Sequence, residues 1–171
     1  MNEEVKENYL KLTTLLDSQV KVYRNLLDVV RKEKDILISA DLDDLSENNK
    51  AKESMLIRAR SLETQRIHVA RELCLSLKID SEAPRLLDIA VALQGAMGDK
   101  LRNLHSVLEL LLKRVQEHNQ QNEELVDSAL KNITGAMKAI RDTLDENPTY
   151  KKEGEKSTQP AQSGQLVSRE A

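Results

Sequence analysis

Apolar residues recur at alternating steps of four and three from near the start of the chain. Val5, Tyr9, Leu12, Leu16, Tyr23, Leu26, Val30 and Leu37 hold eight of the ten seam positions, with Gln19 and Glu33 in the other two. An α-helix repeats every 3.6 residues, so this spacing puts one apolar stripe along a single helix face, whereas a half-buried strand would alternate at every second residue. The pattern predicts one helix from about residue 3 to about residue 38, packed along its whole length against other helices.

Composition says what kind of core such a helix can build. Hydrophobic residues make up 39% of the chain, yet the aromatic ones are three tyrosines, with no Trp and no Phe. A core of Leu, Val, Ile, Ala and Met suits a helical bundle better than a sheet, which favours β-branched and aromatic residues.

Ser39, Ala40 and Asp41 interrupt the first pattern. Asp41 suits the N-cap of a second helix, because its carboxylate can accept from the free N–H groups of the following turn. That helix keeps the seam through Leu45, Met55, Ala59, Leu62, Val69, Leu73 and Leu77, with Asn48, Lys52 and Arg66 as polar exceptions. A turn of about three residues makes the two helices antiparallel neighbours.

The pattern stops around LKIDSEAP, where Ser81 is placed to cap a third helix and Pro84 to sit in its first turn. QGAMGDK then brings Gly95 and Gly98, each costing about 1 kcal/mol against Ala inside a helix. This segment reads as a helix break, so the third helix is expected to be short.

A fourth helix is predicted from about 97 to about 145. Its seam runs Leu101, Leu104, Leu108, Leu111 and Val115, then His118 and Asn122, then Leu125 or Val126, Ala129, Ile133, Met137, Ile140 and Leu144. Neither Gly nor Pro occurs between Lys100 and Thr134, so the helix is expected to run unbroken through the polar stretch from Gln116 to Glu124. Beyond Leu144 the segment DENPTYKKEGEKSTQPAQSGQLVSREA has almost no large apolar residues and cannot bury enough surface to offset chain entropy. The expected organisation is an all-α antiparallel bundle of about four long helices over 1–145, the last one longest, and a disordered tail over 146–171.

Helix lengths locate a surplus. The first two helices, at about 36 residues, span about 54 Å, and the fourth, at about 49 residues, spans about 73 Å. If helices three and four return along the first pair, they reach the end of that hairpin near residues 118 to 122, where the sequence turns polar. The stripe from Leu125 to Leu144 is then left without a partner in its own chain. Such a stripe can fold back as a closing bundle helix, pair with a second copy, or receive an amphipathic helix from another protein. The third outcome makes Asn119, Asn122, Leu125, Val126, Ala129, Leu130, Ile133, Met137, Ile140 and Leu144 the candidate partner-binding residues, with the asparagines as a polar rim that sets register.

Other function classes find little support. Charged residues reach 32% with both signs interleaved and a net charge of -3, so there is no basic surface for nucleic acid. No stretch approaches the roughly 18 apolar residues of a membrane span, and the acidic N-terminal segment lacks an apolar signal core. Cys74 stands alone, which excludes a disulfide framework and fits a reducing cytoplasm. His68, His105 and His118 form none of the Glu-x-x-His pairs that a di-iron bundle requires. His68 with Glu72 and His105 with Glu109 are His-x-x-x-Glu pairs on one helix face, a spacing common by chance in a Glu-rich chain. GAMGDKL lacks the spacing and the preceding strand of a phosphate loop. No catalytic residue, cofactor or metal site is expected.

The segments LLDVVRKEKDILISADLDDLSENNKAKESMLIRARSLETQR and NQQNEELVDSALKNI resemble the FlgN-type flagellar export chaperones. The likeness rests on a leucine-rich first helix, a short turn ending in Asp41, and a Leu-x-x-Leu start at Leu42 and Leu45. It continues with Lys52 and Met55, Arg66 late in the second helix, and the series Asn119, Asn122, Leu125, Ser128 and Leu130, covering about residues 5 to 145. Ala40 departs from the pattern, since the family often has Gly before that Asp.

The resemblance implies a cytoplasmic substrate chaperone that is not an enzyme. Its partners would be hook-filament junction proteins of the FlgK and FlgL type, held by their C-terminal helical regions before type III export, together with the flagellar export apparatus. No nucleic acid, small-molecule substrate, cofactor or stable membrane insertion is implied. The alternative from another class is a structural coiled-coil adaptor that homodimerises through its last helix.

Overall fold

A computed structural model describes residues 2–79 and 85–146, with side chains as far as Leu144. The expected cap at Ser81 and Pro84 lies outside the described residues, as does the predicted tail except for Glu146, which closes the last helix. The described residues form four helices and no strand: α1 (Glu3–Ser39), α2 (Leu42–Ser76), α3 (Leu86–Leu93) and α4 (Gly95–Glu146). The protein is all-α, as its residue pattern predicts. It divides into two units, Met1–Ser128 and Ala129–Ala171.

In the first unit the α1 seam is inside. Val5, Tyr9, Leu12, Leu16, Gln19, Leu26, Val30 and Glu33 are buried, and Tyr23 and Leu37 are half-buried. Asn8, Thr13, Val20, Val22, Leu27 and Ile36 are buried as well, so the covered arc is wider than one seam. Three neighbours produce that width. Leu12 and Leu16 pack with Ala70 and Leu73 of α2 and Ile89 of α3, while Val20 and Leu27 form a second cluster with Leu111 of α4.

The turn between α1 and α2 uses local chemistry. Ala40 ends α1 in the left-handed conformation, φ 55° and ψ 32°. Asp41 Oδ1 then accepts from the backbone N–H groups of Asp43 at 3.1 Å and Asp44 at 3.0 Å, capping α2. Pairing of Gln19 with Glu63 and of Glu33 with Lys52 fixes the two helices as antiparallel. Within the first unit α4 runs parallel to α1, since Lys100 meets Asp17 and His118 meets Arg31.

The break between α3 and α4 falls at Gln94 and Gly95, both with positive φ, and α4 starts two residues earlier than the sequence suggests. Gly98 lies inside α4, buried against the carbonyl of Ala90. Its role is close approach of two helices rather than interruption of one.

Candidate partner-binding surface

Where the α1–α2 hairpin turns, the polar seam positions of three helices meet. Glu33 is nearly buried on α1, and its Oε2 accepts from Lys52 Nζ of α2 at 2.8 Å. Lys52 also donates to Asn119 Oδ1 of α4 at 2.7 Å. Asn122, 4% exposed, donates through Nδ2 to Glu33 Oε2 at 3.1 Å and to the Val30 carbonyl at 2.9 Å. Asn48 adds a bond from its amide to the Val29 carbonyl at 3.3 Å. A carboxylate and an ammonium removed from water need partners of this kind, because a buried charge without one is strongly destabilising.

Sequence spacing puts Asn119 and Asn122 on a partner-facing rim, whereas the structure engages both within the chain. The physical reason lies in Glu33 and Lys52. These two seam positions cannot be packed by leucines from α4, and the asparagines supply the matching donor and acceptor. The signal was present in the sequence as two charged exceptions whose places in an antiparallel hairpin bring them face to face.

A second polar contact sits midway along the hairpin. Arg66 donates to both carboxylate oxygens of Glu63, and Gln19 Nε2 donates to Glu63 Oε2 at 2.9 Å. The Arg66 guanidinium holds the Glu63 carboxyl below its usual range, helped by Gln19 and opposed by burial. The late Arg of α2 thus bonds within α2, to the carboxylate that Gln19 of α1 reaches across the hairpin.

From Glu123 to Leu144 every side chain is exposed. Leu125, Val126, Leu130, Ile133, Met137, Ile140 and Leu144 belong to this run, with Met137 65% and Leu144 70% exposed; Ala129 is exposed too. From Val126 the steps to Leu130, Ile133, Met137, Ile140 and Leu144 alternate four and three, which puts these six on one face of α4. The fold-back alternative requires these residues to be buried by their own chain, and all of them are exposed. The seven large side chains are exposed along one helix, unlike apolar residues scattered singly over a surface.

Catalytic and metal chemistry gain nothing from the geometry. His68 and His105 meet Glu72 and Glu109 at 3.5 and 3.8 Å on exposed faces. Among the described residues no group of three or more metal-ligating side chains comes together. Cys74 is buried, and burial followed by the nearby Asp88 carboxylate raises its thiol pKa, which disfavours a reactive thiolate. No helix among the described residues is long and apolar enough to cross a membrane.

No curated protein and no solved structure matches the chain. A family model described as FlgN protein matches residues 1–158. That span takes in all four helices, the Asp41 turn and the whole exposed stripe, and the chain therefore belongs to the FlgN family of flagellar export chaperones.

Proposed function

We propose that this chain is a cytoplasmic carrier for hook-filament junction proteins of the FlgK and FlgL type. It binds their C-terminal helical regions along Leu125, Val126, Ala129, Leu130, Ile133, Met137, Ile140 and Leu144, prevents their premature assembly, and delivers them to the flagellar export apparatus. The observation that carries the reading is the run of exposed apolar side chains at helical spacing over the last third of α4. Cargo segments that assemble by packing amphipathic helices need such a face while they wait.

The energetics suit a transient carrier. Full burial of Val126, Leu130, Ile133, Met137, Ile140 and Leu144 is worth about 9 to 18 kcal/mol gross, at roughly 1.5 to 3 kcal/mol each. Association costs about 4 to 15 kcal/mol, which offsets much of that gross gain, so the net affinity is modest and permits release.

Titration calorimetry with the C-terminal segments of the junction proteins tests the proposal. Wild type binds, and Ile133→Asp or Met137→Asp abolishes binding with helicity and melting unchanged. Loss of helicity and a collapsed melt in those variants would instead make the stripe part of the core. Light scattering addresses the adaptor reading: a monomer supports the carrier, and a dimer stable on dilution supports self-pairing.

A further inference from the structure

α3 supplies a fourth helix to only part of the bundle. It is eight residues long, and its Leu86, Ile89 and Ala90 are buried in one cluster with Leu12, Leu16, Leu73 and Leu101. Next to Leu86 the groove continues as a cleft of about 650 Å³, lined by α1, α2 and α4. On its α2 side no side chain between Ala59 and Ala70 is buried, although Leu16 and Gln19 of α1, in the same cleft, are. Tyr23, Ile67 and Leu108 are half-buried there, and Leu87 and Leu112 are 44% and 40% exposed. An apolar groove between helices is the kind of surface that takes an amphipathic helix.

Charge says which kind of helix fits. Among the described residues that line the cleft, both carboxylates have partners in the chain: Glu63 accepts from Arg66 and Gln19, and Glu109 stands 3.8 Å from His105. Arg71 and Arg85, both exposed in the same lining, hold no ion pair among the described residues.

We propose that this cleft is a second docking site, which completes the four-helix layer with a leucine-rich, acidic amphipathic helix from a partner protein. The apolar side chains of that helix seat on Tyr23, Ile67, Leu108 and Leu112, and carboxylates on its flank pair with Arg71 and Arg85. α3 is the template, since it lies in the neighbouring stretch of the groove as a helix with leucine and isoleucine turned inward. Complementary charges at the edge select the partner and speed its encounter more than they add affinity. From Leu112 to Val126 is about 21 Å along α4 by the helical rise, so the site is separate from the apolar stripe and does not depend on the carrier reading.

The test uses the full chain carrying Ile133→Asp, so that the stripe does not take up the probe. The probe is a synthetic peptide of about three leucine heptads flanked by glutamate, with the lysine-flanked peptide as control, and the readout is the methyl NMR signals of Ile67, Leu87 and Leu112. The expected result is a saturable shift of all three with the glutamate peptide and at least about fivefold weaker binding in Arg71→Glu/Arg85→Glu. That variant should melt as its parent does and should gain binding of the lysine peptide. No shift at these methyls, equal binding of the two peptides by the parent chain, or an unchanged affinity in the arginine variant would each overturn the proposal. Methyl shifts that track the concentration of the chain alone would overturn it too, by giving the site to a second copy.

Discussion

Asn122 of α4 donates its side-chain amide to the backbone carbonyl of Val30 in α1 at 2.9 Å and, from the same nitrogen, to Glu33 at 3.1 Å. One residue thereby fixes the register of α4 against α1 and helps to hold a carboxylate away from water. The bundle is tied by charge-assisted hydrogen bonds at this end and by leucine packing at the other, where Leu12, Leu16, Leu73, Ile89 and Leu101 are fully buried.

Removal of the cation from this cluster tests its weight. Lys52→Met leaves Glu33 facing only amide donors in a site where its side chain is 12% exposed. The expected loss in chemical denaturation is about 2–3 kcal/mol, below the figure for a fully buried pair because some water reaches it. The double variant Glu33→Gln/Lys52→Met should recover part of that loss, since no bare charge then remains inside.

Ala40 offers a gain. It holds φ 55° at the end of α1, a conformation that costs a residue with a Cβ about 1 to 2 kcal/mol. Ala40→Gly removes that strain at some cost in unfolded-chain entropy. The expected net stabilisation is about 0.5 to 1 kcal/mol, read as a melting rise of about 2 °C.

Gly98→Ala should do the opposite. An added Cβ would meet the backbone carbonyl of Ala90 closer than atoms tolerate, and a backbone cannot swing aside as a side chain can. The expected destabilisation is about 1 to 3 kcal/mol, despite the better helix propensity of Ala. Gly135→Ala, with open space at the same atom, is expected to stabilise α4 slightly and serves as the control.

Acid sensitivity should trace to Glu63. Its pKa is lowered, chiefly by the bond from Arg66, so its stabilisation is present above the unfolded pKa and lost as pH falls through the lower folded value. Melting temperatures compared at pH 7 and at about pH 3 should therefore fall further for wild type than for Glu63→Gln. The difference corresponds to less than about 1 kcal/mol, because the pair is partly exposed.

Much of this architecture was legible in the chain. Steps of four and three from Val5 to Leu37 predict α1 to within a residue at each end, and Asp41, directly after the break in that pattern, marks the start of α2. The absence of Gly and Pro from Lys100 to Thr134 correctly keeps α4 whole. A single-seam pattern misses Val20, Val22 and Leu27, because the seam describes one neighbour and α1 has more than one. Composition alone does not say that Gly98 marks a close crossing while Gly95 marks a break; the backbone angles and the Ala90 carbonyl decide that. The asparagines were found by their spacing but not their partners, since a polar residue on a seam looks the same facing water or facing a buried charge.

Hydrogen exchange along α4, measured with and without the C-terminal segment of a junction protein, tests the carrier account most directly. The account predicts that amides of residues 125–144 exchange fast in the free chain, as expected of a helix stretch with little tertiary packing, and slowly once cargo is bound, with residues 101–115 protected in both states. Equal protection of 125–144 with and without cargo would contradict it.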